Sequence, residues 1–327
     1  GGMTWFTCLL FSSTVIPTVQ SLHTSSESIY IEVAAPQGSD VGSLESQLLK
    51  KYSPGQNTFR LSEQARIAQD DAYKSLVLNS LGPHMDQKHD FCTKNAPCIQ
   101  SFLQSSASSA NIYAMMGKLY DETRSQGCLQ VGGCRAEVLG TLNWHVEQSH
   151  NVLVESDLMD SKSVQERLTI VNRNSNYHKI LVVVANSYRA LSSRHADASA
   201  ASTSIQAFMT DPKANGAPVL INPREFSFAV QKSTCTMHQM LECMPGGTSM
   251  VGARPCEPKF DGVYVIDRTQ GDGSEKMAVA MKGCQRSDPG FLEAQAALRR
   301  SLPLGASMCA PTHGMPTAQS LLTGLFR

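Results

Sequence analysis

The densest group of potential metal ligands in this 327-residue sequence is formed by His84, His89, Asp90 and Cys92. These residues follow a Gly-Pro pair that should end a helix, so they lie in a segment that could fold around a cation. Imidazole and carboxylate groups are common ligands of zinc and of other divalent metals. The sequence therefore indicates His84, His89 and Asp90 as candidate metal ligands, and it predicts no cofactor.

A second pair of histidines does not match a metal-binding motif. His145 and His150 are five positions apart, whereas two zinc ligands on one helix face lie at i and i+4. In a regular helix this spacing leaves the two rings roughly 140° apart around the axis. We therefore expect the two rings to point in different directions and not to share an ion.

Motifs for nucleophilic and nucleotide chemistry are absent from the sequence. It contains no Gly-x-Ser-x-Gly elbow and no Ser-x-x-Lys, and no glycine-rich loop with the spacing of a dinucleotide or P-loop site. Cys309 precedes His313 in a Pro- and Gly-rich tail, which does not indicate the positive, partly enclosed setting of a reactive thiol. Paired acidic residues could still converge in the fold.

The ten cysteines indicate an oxidising compartment. Eight of them form four neighbouring pairs along the sequence: Cys92 and Cys98, Cys128 and Cys134, Cys235 and Cys243, and Cys256 and Cys284. Their separations are five, five, seven and 27 intervening residues, longer than the short spacings of zinc-binding cysteines. We predict four disulfides with these pairings and, because Cys8 would be removed with an N-terminal leader, one unpaired thiol, Cys309.

The first two of these pairings depend on a predicted helix between Cys98 and Cys128. A helix of about 25 residues is about 38 Å long, whereas bonded cysteines have Cα atoms within about 7 Å. Cys98 and Cys128 therefore cannot pair with each other, and each bonds within its own loop.

The beginning of the chain is typical of a secretory leader. Residues 3–16 are apolar, Pro17 follows them, and small residues then stand where a signal peptidase cleaves. The run is too short to span a bilayer, and its departure from the usual pattern is that the first basic residue is Lys50. We predict a signal peptide over 1–21, with an upstream Gly1-Gly2 remnant, and a secreted or periplasmic location.

Hydrophobic periodicity predicts a largely helical region over 22–211. One strand covers 29–33, and helices cover 61–80, about 99–124 and about 135–159. Apolar positions from 162 to 210 then continue with a nearly heptad spacing, which predicts one helix about 70 Å long. The alternative interpretation breaks this segment at 172–176 and makes the β-branched run 180–184 a buried strand.

A change of composition at 212–217 predicts a linker, followed by a smaller region over 218–310 and a flexible tail over 311–327. Alternating and β-branched residues at 263–266 and 277–281 flank a Gly-Asp-Gly turn, which is typical of a β-hairpin. Asp288 and Pro289 should begin a last helix. The predicted fold class is α+β and mainly α: an elongated, disulfide-stapled helical bundle or hairpin, followed by a small C-terminal region with a β-hairpin.

Charge and composition narrow the possible functions. Because 28 basic and 28 acidic side chains cancel, nucleic acid is not an expected partner. Our hypothesis is an exported, non-enzymatic structural, adhesive or secretion- or conjugation-apparatus component of the cell envelope. It would bind protein partners in an envelope or extracellular assembly and touch the membrane only through its leader. The alternatives are a secreted hydrolase whose acids converge in the fold, and an exported metal-binding protein.

Overall fold

The fold was analysed in a computed structural model of the chain. The structure describes residues 10–11, 28–35, 41–52, 58–86, 106–128, 131–156, 161–187, 198–219, 223–243, 250–251, 254–255, 260–269, 276–281 and 285–302.

A mostly parallel sheet lies at the centre of the molecule. In chain order the described strands are β1 (Leu10–Phe11), β2 (Ser28–Ala34), β3 (Thr58–Ser62), β4 (Asn151–Ser156), β5 (Tyr177–Asn186), β6 (Met250–Val251), β7 (Arg254–Pro255), β8 (Gly262–Arg268) and β9 (Lys276–Met281). Seven of these described strands form one sheet in the order β1-β9-β8-β5-β2-β4-β3, and β6 pairs with β7. The neighbours among β3, β4, β2, β5 and β8 are parallel, whereas β9 is antiparallel to β8 and to β1.

Helices cover both faces of this sheet and form a further layer. The described helices are α1 (Gly42–Tyr52), α2 (Glu63–Gln69), α3 (Asp71–Asp86), α4 (Ser106–Gln126), α5 (Gly133–Glu147), α6 (Ser161–Val171), α7 (Ala198–Thr210), α8 (Pro223–Glu242) and α9 (Pro289–Arg300). Helix α1 packs through Leu44 and Leu48 on one face of the sheet. Helices α5, α6, α8 and α9 pack on the opposite face, and α2, α3, α4 and α7 share a separate apolar cluster.

The strands form where apolar residues follow one another without a helical period. All seven residues of β2 are buried, as are the last seven of β5. A strand that is covered on both faces is apolar along its whole length, so its sequence does not alternate. Residues 180–184 are such a run, and side-chain packing on both faces stabilises them as a strand.

The predicted fold class is wrong. The region predicted as a helical bundle supplies β2, β3, β4 and β5 of the central sheet, and β5 pairs directly with β8. The predicted helix over 135–159 ends at Glu147 and is followed by β4, and the predicted long helix over 162–210 divides into α6, β5 and α7. The alternative with a break at 172–176 is the correct one. The predicted hairpin arms are β8 and β9, but they belong to the central sheet.

No observation on the described residues supports the predicted signal peptide over 1–21, and part of that segment lies in the central sheet. Leu10 and Phe11 form β1, which pairs with Ala278 and Met277 of β9. Among the described helices, none combines the length and the apolar character that crossing a bilayer requires. The secreted or periplasmic location is not tested by these observations and stays a prediction.

Two of the predicted cysteine pairs lie in the described residues. Cys128 and Cys134 form a disulfide with Cα atoms 4.8 Å apart, and Cys235 and Cys243 are each disulfide-bonded. The other cysteines lie outside the described residues, namely Cys8, Cys92, Cys98, Cys256, Cys284 and Cys309.

Candidate functional site

The topology of the sheet has a switch point at its carboxyl edge, the place where a ligand-binding crevice is expected. Strands β2 and β4 are parallel neighbours, but β2 leads into α1 on one face, whereas β4 leads into α6 on the other. The chain therefore leaves two adjacent strands in opposite directions. In open α/β sheets, ligands bind outside the carboxyl ends of the strands at such a switch point.

Three charged side chains lie beside this crevice on the face covered by α1. Glu45 is in the first turn of α1, Glu155 is near the end of β4, and Arg60 is in the neighbouring strand β3. An Arg60 Nη1 atom lies 3.4 Å from Glu45 Oε2, and the side chains are 48% and 9% exposed, respectively. Burial and the nearby Glu155 carboxylate raise the pKa of Glu45, while Arg60 opposes this shift. The two carboxylates therefore repel each other at the crevice.

A second charged group lies on the opposite face of the central sheet and is buried. Glu32 of β2 is completely buried; its two oxygens accept hydrogen bonds from Arg167 Nη2 at 2.6 Å and from the Tyr30 hydroxyl at 2.7 Å. Arg167 Nη2 also donates to Ser156 Oγ at 2.9 Å. These hydrogen bonds connect α6 to β2 and to the end of β4. They therefore fix the relative positions of the elements below the crevice.

The electrostatics of Arg167 follow from this setting. Burial alone would lower the pKa of its guanidinium, but Glu32 and Tyr30 outweigh burial, so the pKa is raised and the charge is retained. Arg167 Nε is buried without a hydrogen-bond partner among the described residues. The burial of this guanidinium charge is therefore favourable only while its ion pair with Glu32 is intact.

At the far end of the same edge, Asp267 closes β8. Its carboxylate accepts hydrogen bonds from the amide and hydroxyl of Thr269 and from Arg300 Nη2. Burial raises the pKa of Asp267, but these hydrogen bonds and the charge of Arg300 outweigh it, so the pKa is lowered. Every described partner of Asp267 belongs to the protein's own framework. We therefore assign Asp267 a structural role, which is to fix the end of β8.

The two histidines that were expected to diverge in fact meet. Helix α5 ends at Glu147, and a turn with Ser149 in the left-handed region (φ 55°) reverses the chain. His150 Nδ1 therefore lies 3.1 Å from His145 Nδ1. Phe59 stacks on the His145 ring at a centroid distance of 3.9 Å. The expectation that the rings point apart was wrong because it continued the helix through this turn.

This contact predicts a pH dependence of stability. At an Nδ1 separation of 3.1 Å one ring donates and the other accepts, so both Nδ1 atoms cannot carry protons without breaking the contact. Burial and the neighbouring His150 lower the pKa of His145. The folded state thus binds fewer protons than the unfolded state, so this contribution to stability is complete above the ordinary histidine pKa of about 6.5 and is lost as the pH falls below it.

We expect the free energy of unfolding to decrease from pH 7 to pH 5, measured by urea unfolding at each pH. The variant His145→Gln should show a smaller decrease, because it removes the shifted group. An unchanged pH slope in this variant would assign the dependence to other groups.

The candidate metal ligands His84, His89 and Asp90 are not tested by the structure and stay a prediction. His84 belongs to the backbone of α3, its side chain lies outside the described set, and His89 and Asp90 are outside the described residues. The crevice residues Glu45, Glu155 and Arg60 were missed by sequence reasoning. The available signal was the polar pair Glu155-Ser156 directly after the apolar run 152–154, which is typical of the carboxyl end of a parallel strand.

Comparisons with known proteins do not assign this chain to a family. No protein-family model matches the chain, and no curated protein matches it. It is similar to a chain from a structural study of the PezAT chromosomal toxin-antitoxin system of Streptococcus pneumoniae. The similarity covers 87% of this chain and 91% of that chain, at 10% identity and a TM-score of 0.41. A likeness of this strength carries no argument about fold or function.

The predicted function is wrong in its premise. An envelope or secretion-apparatus component was inferred from an elongated rod of stapled helices, and the structure has a layered α/β sheet in its place. We retain neither the structural role nor its two alternatives, the secreted hydrolase and the exported metal-binding protein. Protein partners stay a prediction.

Proposed function

We propose that this protein binds a phosphate-bearing small molecule of the nucleotide type, together with a divalent cation, in the crevice between β2 and β4. The observation that carries this proposal is that Glu45, in the first turn of α1, and Glu155, near the end of β4, both lie at the switch point, where burial and the Glu155 charge raise the pKa of Glu45. The crevice thus has a position for a cation beside a position for an anion.

The position for the anion follows from α1. Its amino terminus lies at the carboxyl side of the central strand β2, and the first turns of helices carry unpaired N–H groups and a partial positive charge. Phosphate groups bind at such termini in many α/β proteins. The Arg60 guanidinium is half exposed beside Glu45, and its planar donors suit phosphate oxygens.

The position for the cation follows from the two carboxylates. Magnesium is commonly held by one or two carboxylates together with the phosphates of the ligand. A cation between Glu45 and Glu155 would remove their repulsion and would favour the ionised form of Glu45. Cation and phosphate should therefore bind together, each strengthening the other.

We expect at least one member of a panel of nucleoside di- and triphosphates to raise the thermal midpoint of the full chain in the presence of MgCl2. EDTA should abolish the effect. In isothermal titration calorimetry, Glu45→Gln and Glu155→Gln should each weaken binding at least tenfold, which corresponds to about 1.4 kcal/mol. The control Glu122→Gln, which changes an exposed carboxylate of α4 paired with Lys118, should bind like the wild type.

Two results would contradict the proposal. In one, no nucleotide stabilises the protein with or without magnesium. In the other, a nucleotide binds but both crevice variants retain wild-type affinity, which would place the ligand elsewhere. Circular dichroism of each variant checks that the fold is intact.

A further inference from the structure

A second group of reactive side chains is buried among the helices, apart from the sheet edge. It comprises Asp70, Cys128 and Cys134, whose carboxylate oxygen and sulfur atoms lie within 4.8 Å of one another. None of the three residues is more than 6% exposed. Asp70 joins α2 to α3, whereas the two cysteines flank the turn from α4 to α5.

Asp70 is held in a fixed orientation toward this turn. Its Oδ1 atom accepts a hydrogen bond from the Tyr73 amide at 2.9 Å, and its Oδ2 atom accepts one from the Cys128 amide at 3.0 Å. A carboxylate oxygen has two lone pairs, so each oxygen keeps one that these bonds do not use. The carboxylate can therefore accept a further partner without losing its structural contacts.

The backbone of Cys128 gives a second, independent indication that the turn is specialised. Cys128 has φ 61°, in the left-handed region that non-glycine residues rarely adopt. The bond from its amide to Asp70 Oδ2 helps to hold this conformation. Unfavourable backbone conformations that the surroundings maintain are concentrated at functional sites, and here the conformation sets the position of the Cys128 sulfur next to Asp70.

In the structure the two cysteines form a disulfide, and its reduction would create a different donor set. A dithiol reductant transfers two electrons and two protons to the disulfide, which yields two thiols while the reductant becomes a disulfide. A divalent cation can then displace both thiol protons and bind two thiolates and one carboxylate. Two sulfurs and one oxygen suit zinc.

Burial determines whether the two thiols of the reduced protein are protonated. Two thiolates and a carboxylate without a cation would place three negative charges in a buried site, which is strongly unfavourable. The thiols should therefore stay protonated in the absence of metal and ionise only when a cation binds. Metal binding would consequently release protons.

We propose that the reduced protein binds one zinc-type divalent cation through Cys128, Cys134 and Asp70, so that this turn exchanges a disulfide for a metal site. In both forms the α4–α5 turn remains tied to Asp70 at the start of α3. The turn would thereby keep its crosslink under reducing conditions.

The test uses the full chain and Co2+ as a spectroscopic substitute for zinc. After treatment with dithiothreitol and its anaerobic removal, the reduced protein should bind Co2+ with a thiolate-to-cobalt charge-transfer band, and the oxidised protein should not show the band. Asp70→Asn should weaken Co2+ binding at least tenfold. The double variant C128S/C134S should lose the band, whereas the matched control C235S/C243S should keep it.

A measurement on the wild type decides the question even if a cysteine variant does not fold. Co2+ should slow the alkylation of Cys128 and Cys134 by iodoacetamide at least tenfold, measured by mass spectrometry, and should leave Cys235 and Cys243 unaffected. Equal alkylation rates with and without Co2+ would overturn the proposal. A charge-transfer band of undiminished intensity in folded C128S/C134S would overturn it as well.

Discussion

Replacing Arg167 by alanine should lower the free energy of unfolding by about 3–5 kcal/mol. The Glu32 carboxylate is completely buried in the central strand. Among the described residues it forms an ion pair with Arg167, whose Nη2 atom lies 2.6 Å from Glu32 Oε1. Removal of the guanidinium leaves a buried negative charge without its ion pair and a Ser156 hydroxyl without one donor. Urea unfolding at pH 7 measures the loss.

A double variant tests whether the unpaired charge of Glu32 causes this loss of stability. The double variant E32L/R167M removes both charges together, and apolar replacement of a buried ion pair is often nearly neutral. We therefore expect the double variant to lose less stability than Arg167→Ala alone. A double variant that is at least as unstable as the single one would show that packing around Arg167, and not the charge of Glu32, causes the effect.

The substitution Gly133→Ala should lower the free energy of unfolding by about 3 kcal/mol or more. Gly133 has φ 73°, and a Cβ atom there would lie 2.4 Å from the carbonyl carbon of Ser125. The left-handed conformation alone costs about 1–2 kcal/mol for a residue with a side chain, and the clash with the backbone of α4 adds to it. Thermal or urea unfolding of the variant measures the cost.

A second glycine of the same helix provides the matched comparison. A Cβ atom at Gly140 in α5 would meet no atom within 4 Å beyond the adjacent backbone of its own helix, so Gly140→Ala should stabilise the protein by about 1 kcal/mol through helix propensity. Similar stabilities for the two variants would contradict the assigned role of Gly133 in the α4–α5 turn.

Local patterns predicted the elements whose signals are contained in a short segment. The strand at 29–33, the two arms of the hairpin and the last helix at Pro289 all match described elements. The run 180–184 was ambiguous because a strand buried on both faces has no period of two. Only its pairing with β2 and β8 decides in favour of the strand.

The order of the sheet could not be derived in the same way. β2 pairs with β4 and β5, which follow it only after the helical segment from α2 to α5. No spacing in the sequence indicates these long-range partners. The crevice was missed for the same reason, because Glu45 and Glu155 become neighbours only when β2 and β4 pair.

The sheet order has a consequence for how the protein is made. β2 emerges from the ribosome before the other parallel strands, yet it occupies the middle of the finished sheet, and β8 begins only at Gly262. Sheets built from distant partners form slowly. The apolar β2 segment must therefore remain soluble while most of the chain is still being translated, a period in which nascent chains are vulnerable to aggregation and are bound by chaperones.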